Sequence, residues 1–234
     1  MSNASARQLV LSQPTEKQAM FLAAKAKHIG YGGARGGGKS WAIQRKAPLG
    51  AYNYPGIRIL ILRREYGDME NSIIAPMLKI LAPGSYQYNK TDHMITFVNG
   101  STIKFGNMPG YSAAVQGKYQ GQQYHWLFID EATQFTESEF RGLAACVRGA
   151  NNIPKRIYLT CNPGGPGHTW VKRLFVDRKF KDGEDPKDYV FIPATVDDNV
   201  DLMTADPAYV RALENLPEDI RRAHRHGDGN ILAG

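Results

Sequence analysis

Gly32–Ser40, GGARGGGKS, packs five glycines and two cations into nine positions, directly after the short stretch 26–31. Glycine enters positive-φ conformations cheaply and lets other groups approach the backbone, at a cost in conformational entropy. So dense a run implies either a loose turn or a backbone cradle. The spacing favours the cradle. Gly33, four residues, then Gly38-Lys39-Ser40 fit G-x-x-x-x-G-K-[ST], in which loop N–H groups hold phosphates, the Lys reaches the β/γ oxygens and the hydroxyl meets Mg²⁺. The motif needs a strand before it and a helix after it. Residues 26–31 suit a short strand. From Lys39 to about Tyr52 a helix is expected, with Trp41, Ala42 and Ile43 opening its apolar set, so that its positive dipole end faces the phosphate. The expected nucleotide contacts are therefore Gly33, Arg35, Gly36, Gly37, Gly38, Lys39, Ser40 and Trp41.

Outward from this loop, short apolar segments alternate with helical ones. IRILIL (57–62), WLFID (126–130), 156–160 and YVFIPA (189–194) read as buried strands because they are short, rich in branched residues and bounded by turn signals. Residues 68–81, 137–148 and 169–176 read as helices. The run HMITFVNGSTIKFG (93–106) signals a hairpin, with Asn99-Gly100 suited to a type I′ turn. Strand–helix alternation predicts an α/β fold with a mostly parallel central sheet, helices on both faces and the hairpin at an edge. After Ala194 no strand signal remains. The expected organisation is a core over 1–197 and a small helical appendage over 198–234.

The composition is that of a globular chain: 234 residues, 42% hydrophobic and 22% charged. No apolar run approaches the roughly 18 residues of a membrane span, and the N-terminus lacks a signal-peptide core. Two cysteines, Cys146 and Cys161, make no disulfide framework and fit a reducing cytoplasm. The net charge of +7 suits an anionic partner such as nucleic acid. Lys172, Arg173, Arg178, Lys179 and Lys181 form one basic group, and Arg221, Arg222 and Arg225 another.

Asp130-Glu131 follows four apolar residues. In a phosphate-loop protein, a carboxylate at a strand tip can serve Mg²⁺, and the next one can deprotonate an attacking water. The alternative, a helix cap, is weakened because Thr136 with Glu139 already forms a capping box. In YLTCNPGG (158–165), Thr160, Cys161 and Asn162 end a strand beside the acidic one, either sensing the γ-phosphate or simply turning the chain. Gln18 either completes a capping box with Thr15 or reads an adenine edge.

Taken together, SQPTEKQAMFL, GGARGGGKS, HWLFIDEAT, YLTCNPGG and GHTWVKRLF resemble the ATPase domain of the large terminase subunit of tailed bacteriophages, the motor that packages viral DNA. The likeness runs from about Gln13 to Gly227. It implies a P-loop NTPase of the additional-strand, catalytic-glutamate type, using ATP and Mg²⁺ in the cytoplasm of a bacterial host. Its implied partners are double-stranded DNA, further copies in a ring, a portal protein and the small terminase subunit.

By the same resemblance, Gln18 contacts adenine, Thr160, Cys161 and Asn162 couple hydrolysis to motion, and residues 198–234 form a lid. Catalytic roles fall on Glu131, Lys39 and Arg35, the last either sensing the γ-phosphate or stabilising the transition state. Ser40 and Asp130 are the metal ligands. Many relatives carry an arginine about ten residues before the acidic pair that reaches a neighbour's nucleotide, but this chain has Gln120 there. Arg148, Lys118 and Arg141 are the candidates for that cation, Arg148 being equally a plain helix-terminal charge. The family's nuclease domain has no room after Gly234, so DNA cleavage is not expected. The competing functions are a helicase-like DNA-dependent ATPase and a non-catalytic, nucleotide-switched assembly module.

Overall fold

The computed structural model describes residues 13–34, 36–110, 119 and 121–226. In chain order its elements are α1 (Glu16–Ala23), β1 (His28–Gly33), α2 (Lys39–Asn53) and β2 (Arg58–Arg63). A π-helical turn, Glu70–Ile74, then runs into α3 (Ala75–Ile80), followed by β3 (Tyr86–Asn89), β4 (Met94–Phe97) and β5 (Thr102–Asn107). Next come β6 (Trp126–Ile129), α4 (Glu137–Ala144), β7 (Arg156–Cys161), α5 (His168–Val171) and β8 (Tyr189–Ala194). The chain continues through α6 (Val200–Ala205), α7 (Pro207–Glu214) and α8 (Glu218–His226).

One sheet of eight strands, in the order β3-β4-β5-β2-β6-β7-β1-β8, organises these elements. The pairings from β5 through β8 are parallel, and β3 and β4 run antiparallel at one edge. Both faces of the central strands are covered, which is why those strands read as continuous apolar runs. Ile59, Ile61, Trp126, Phe128 and Tyr158 pack toward α2. Leu60, Leu62, Leu127, Ile129 and Leu159 pack on the other face with Phe140 and Trp170. Burying each such side chain stabilises the fold by about 1.5–3 kcal/mol. Two capping boxes close helix starts locally, Thr15 with Gln18 on α1 and Thr136 with Glu139 on α4.

Local signals and the structure differ in two places. The hairpin lies at the sheet edge as expected, but its turn is not type I′. Phe97 N–H bonds the Ser101 carbonyl at 2.9 Å and Gly100 N–H bonds the Phe97 carbonyl at 2.9 Å. Of the loop residues only Gly100 has positive φ, 81°, whereas type I′ needs it at both central positions. The connection is therefore a three-residue loop. The helix expected to Arg148 stops at Ala144, because Tyr124 recruits the following backbone. Tyr124 N–H donates to Cys146 O at 2.9 Å and Arg148 N–H to Tyr124 O at 3.0 Å.

Candidate active site

The glycine-rich loop leaves the tip of β1 and enters α2 at Gly38, which caps the helix with φ 73°. Gly36 also has positive φ, 78°, so two left-handed residues bend the backbone around the cradle. Close packing enforces this shape. A Cβ at Gly38 would collide with the Gln18 amide, and one at Gly36 would stand 3.1–3.2 Å from Val196, Leu202 and Tyr209. Tyr31 donates its hydroxyl to Gly37 O at 2.8 Å, and Asn199 Nδ2 to Gly36 O at 2.7 Å. Lys39 Nζ folds back onto Ala34 O at 2.5 Å, within the loop it would leave to meet a phosphate.

Asp130 and Glu131 follow β6, whose neighbours are β2 and β7. Asp130 is buried. Thr160, on β7, donates its hydroxyl to Asp130 Oδ1 at 2.5 Å and accepts from Glu131 N–H at 3.1 Å. That pair of bonds supports Glu131 in the left-handed region, φ 55° and ψ 51°, which a non-glycine residue occupies at a cost. From β2, Arg63 reaches both carboxylates. Its Nη2 lies 2.7 Å from Glu131 Oε1 and its Nε 3.7 Å from Asp130 Oδ2. Burial pushes the Asp130 carboxyl above its usual range, while the Thr160 bond, Arg63 and Lys39 oppose that rise. Burial works against the Arg63 charge, but Glu131 and Asp130 outweigh it and raise its value.

A cleft of 510 Å³ lies between the loop and Glu131. Gly36, Gly37, Gly38, Lys39, Ser40 and Trp41 of the loop and α2 line it together with Glu131 and Asn162. Asn199, Leu202 and Tyr209 close it from the helical segment. The donors fit a nucleotide–Mg²⁺ pair: a backbone cradle no side chain could fill, an ammonium, a hydroxyl, and a single buried carboxylate. Mg²⁺ takes few protein ligands and completes its shell with phosphates and water. Accordingly, no cluster of three His, Cys, Asp or Glu suited to a metal occurs among the described residues.

A family model described as the terminase large subunit, T4likevirus-type, N-terminal, matches residues 31–232. The chain belongs to this family. The matched residues correspond to the N-terminal part of a terminase large subunit. The large terminase of a thermophilic bacteriophage in complex with ADP superposes with a TM-score of 0.74 at 18% identity, over 93% of this chain and 54% of that one. The complex of the same phage's large terminase with ATP-γ-S gives 0.73 at 17%, over 93% and 53%. The ATPase domain of the Thermus phage P74-26 large terminase gives 0.62 at 16%, over 92% and 93%. The chain thus spans about half the length of the nucleotide-bound terminase it matches. No curated protein is significantly similar in sequence. The fold is the additional-strand type: β7 stands between the loop strand β1 and the acidic strand β6.

Within this terminase domain the sequence-derived candidates separate. Gln18 is buried; its Oε1 accepts from Thr15 N–H at 2.8 Å, and its Nε2 abuts Gly38. Of the coupling trio only Asn162 lines the cleft; Thr160 is buried against the acidic pair and Cys161 is buried with its thiol pushed up to about 11. Gly33 lines an adjoining cavity of 220 Å³ with Cys161 and Asn162. Arg141 is engaged by Glu137 at 3.0 Å and by Glu184. Arg148 is exposed beside Tyr124, at the far end of β6 from Glu131. Arg35 and Lys118 lie outside the described residues.

Arg63 and Leu202 are site residues that the sequence reading does not single out, and Asn199 and Tyr209 enter it only as part of the lid implied by the resemblance. A pair of arginines ending a buried strand, Arg63-Arg64, was the available signal. Arg64 makes the companion contact, bidentate to buried Glu139 at 2.8 Å, and so anchors the segment after Glu131.

Proposed function

We propose that this ATPase domain uses Mg²⁺-dependent hydrolysis to move double-stranded DNA into a procapsid, acting within a ring of copies. Loop N–H groups and Lys39 bind the phosphates, with Arg35 adding charge at the γ position and Gln18 contacting the adenine. Ser40 and Asp130 would hold Mg²⁺, which supplies charge neutralisation on the β- and γ-phosphates. Glu131 accepts a proton from the attacking water as its oxygen bonds to the γ-phosphorus and the bond to the β-phosphate oxygen breaks. Thr160 fixes the backbone of that base, and Arg63 orients its carboxylate. Asn162, which lines the cleft, senses the loss of the γ-phosphate, and residues 198–234 act as a lid through Asn199. Arg148 is the preferred trans-acting cation, since Arg141 is already engaged by two carboxylates. A portal protein, the small terminase subunit and a bacterial cytoplasm complete the reading.

The observation that carries it is Glu131, held in a left-handed conformation on the β6 tip and lining one cleft with Lys39 and Ser40. Lys39→Ala should abolish ATP binding, because it removes charge felt in ground and transition states alike. Glu131→Gln should keep ATP affinity within about twofold and lower turnover by about 10²–10⁴, the range for general-base catalysis. Fluorescent-nucleotide titration and steady-state phosphate release measure both. Wild-type turnover in Glu131→Gln defeats the assignment; loss of binding there makes Glu131 structural instead.

A further inference from the structure

The end of the sheet opposite the nucleotide cleft carries basic residues most of which pair with no carboxylate among the described residues. Arg58 opens β2, His125 precedes β6 and Lys155 precedes β7. Backbone bonds set them side by side: His125 N–H donates to Arg58 O at 2.8 Å, and Arg156 N–H to His125 O at 3.0 Å. With neighbouring strands about 4.8 Å apart, the row extends across β7 to Lys25 before β1. Arg148 joins it through Tyr124, over whose ring the Arg58 guanidinium lies at 5.7 Å. Arg58, Arg148 and Lys25 are exposed. Among the described residues neither they nor Lys155 forms an ion pair. The row ends at Lys27, which Asp188 pairs at 3.5 Å.

Behind it, Lys46 and Arg156 are buried with aromatic rather than acidic company, 5.3 and 5.5 Å from the Trp126 ring. Burial and the repulsion of Arg156 and Lys25 push the Lys46 ammonium down to about 8. Burial, Lys155 and Arg58 likewise lower the His125 value. Like charges gathered in this way favour any anion that docks among them.

The basic group contiguous in sequence behaves in the opposite way. Arg173 is tied to Glu137 and Glu184, Lys181 to Glu137, and Lys172 to Asp177. Arg178 donates to the Tyr189 and Pro186 carbonyls. Its charge is largely spent inside the fold.

We propose that the N-terminal edge of the sheet, with the free guanidinium forks of Arg58 and Arg148 in the field of Lys25 and Lys155, is the surface on which the phosphate backbone of duplex DNA docks. This placement rests on DNA being the partner. Charge complementarity points to a polyanion, since Arg58, Arg148, Lys25 and Lys155 present positive charge with no paired carboxylate among the described residues. The row also spans four strands, about 15 Å at that strand spacing, and so can meet several phosphates at once. Guanidinium grips each of them bidentately.

The test compares the wild-type chain with Arg58→Glu/Lys25→Glu, leaving Arg148 intact because it is also the candidate trans cation. Labelled duplexes of unrelated sequence are titrated across a salt series. Wild type should bind with a steep salt dependence. The double variant should bind at least about tenfold more weakly near 0.1 M salt, with a log–log slope shallower by about 2, while its basal ATP hydrolysis in dilute solution is unchanged. Lys172→Glu/Lys179→Glu should leave DNA affinity within about twofold. Normal wild-type binding with an unaffected Arg58→Glu/Lys25→Glu variant overturns the placement alone. A variant that keeps DNA binding but loses concentration-dependent hydrolysis also overturns it, and makes the edge a contact between copies. A wild-type chain that binds no duplex overturns both the placement and DNA as the partner.

Discussion

The two ends of the central sheet handle charge in opposite ways. At the C-terminal end of the strands, the charges at the cleft have partners among the described residues. Arg63 meets Asp130 and Glu131, Thr160 ties the acidic pair together, and Lys39 rests on the loop carbonyl of Ala34. At the N-terminal end, Arg58, Arg148 and Lys155 lie without a carboxylate among the described residues. Parallel strands bring all their C-terminal tips to one edge, and a reacting site needs its groups held in place before substrate arrives. A surface that receives a polyanion needs the reverse: unspent positive charge and no competing acid. A basic count in a sequence therefore says less than where the acids lie.

Arg63→Ala should break the paired end most severely. Removing one partner of a largely buried ion pair leaves Asp130 uncompensated, which costs about 3–5 kcal/mol. Urea unfolding should show it as a lower midpoint with an unchanged slope. Arg63→Lys should recover part of the loss by restoring the charge. A cost under about 1 kcal/mol for Arg63→Ala would mean that the two ends are less different than their geometry indicates.

Acid should stress the other end. His28, at the start of β1, is buried against Tyr189, with ring centroids 4.5 Å apart, and its Nδ1 has no hydrogen-bond partner among the described residues. Burial and Lys27 lower its pKa from 6.5 to about 4. The unfolded chain therefore takes up the proton first. Stability should be full above about pH 6.5, fall as pH drops, and level off below about pH 4, a loss of about 3 kcal/mol from this group. Unfolding of His28→Phe across that window should lack this component of the pH slope; an identical slope in both proteins would show that another group carries it.

The smallest effect tests the local devices at the acidic end. Thr136→Ala removes the α4 cap, whose hydroxyl accepts from Glu139 N–H at 3.3 Å, and should cost about 1 kcal/mol. Since Glu139 also anchors Arg64, a loss well above 2 kcal/mol would show that the cap and the ion pair act as one unit.

Much of this domain is legible residue by residue. The glycine loop and its helix, both capping boxes, the apolar strands and the acidic pair each rest on interactions spanning a few residues, so pattern and propensity reach them. Thr160 stands out in the sequence as part of a strand end that either senses a γ-phosphate or turns the chain, and the structure adds its hydrogen bonds to Asp130 and Glu131. Those bonds depend on β7 lying next to β6, which no local pattern states. The α4 boundary departs from expectation for a similar reason: Tyr124, distant in sequence, draws the backbone of Cys146 and Arg148 out of the helix.

What the sequence alone determined was the chemistry available: a phosphate cradle, an ammonium, a hydroxyl and two carboxylates at predictable places on strands and loops. The tertiary structure decided which distant groups complete them. Arg63 reaches Glu131 because β2 pairs with β6, and Asn199 reaches Gly36 because the helical segment folds over the loop. It also decided which cations are consumed and which remain. Lys172, Arg173 and Lys181 met Glu137, Glu184 and Asp177, while Arg58, Arg148 and Lys155, scattered along the chain, became neighbours that pair with no acid among the described residues. Turns, caps and helix starts are set by neighbours along the chain. Ion pairs and surface fields are set by sheet order, and that order is fixed by the burial of both sheet faces at once.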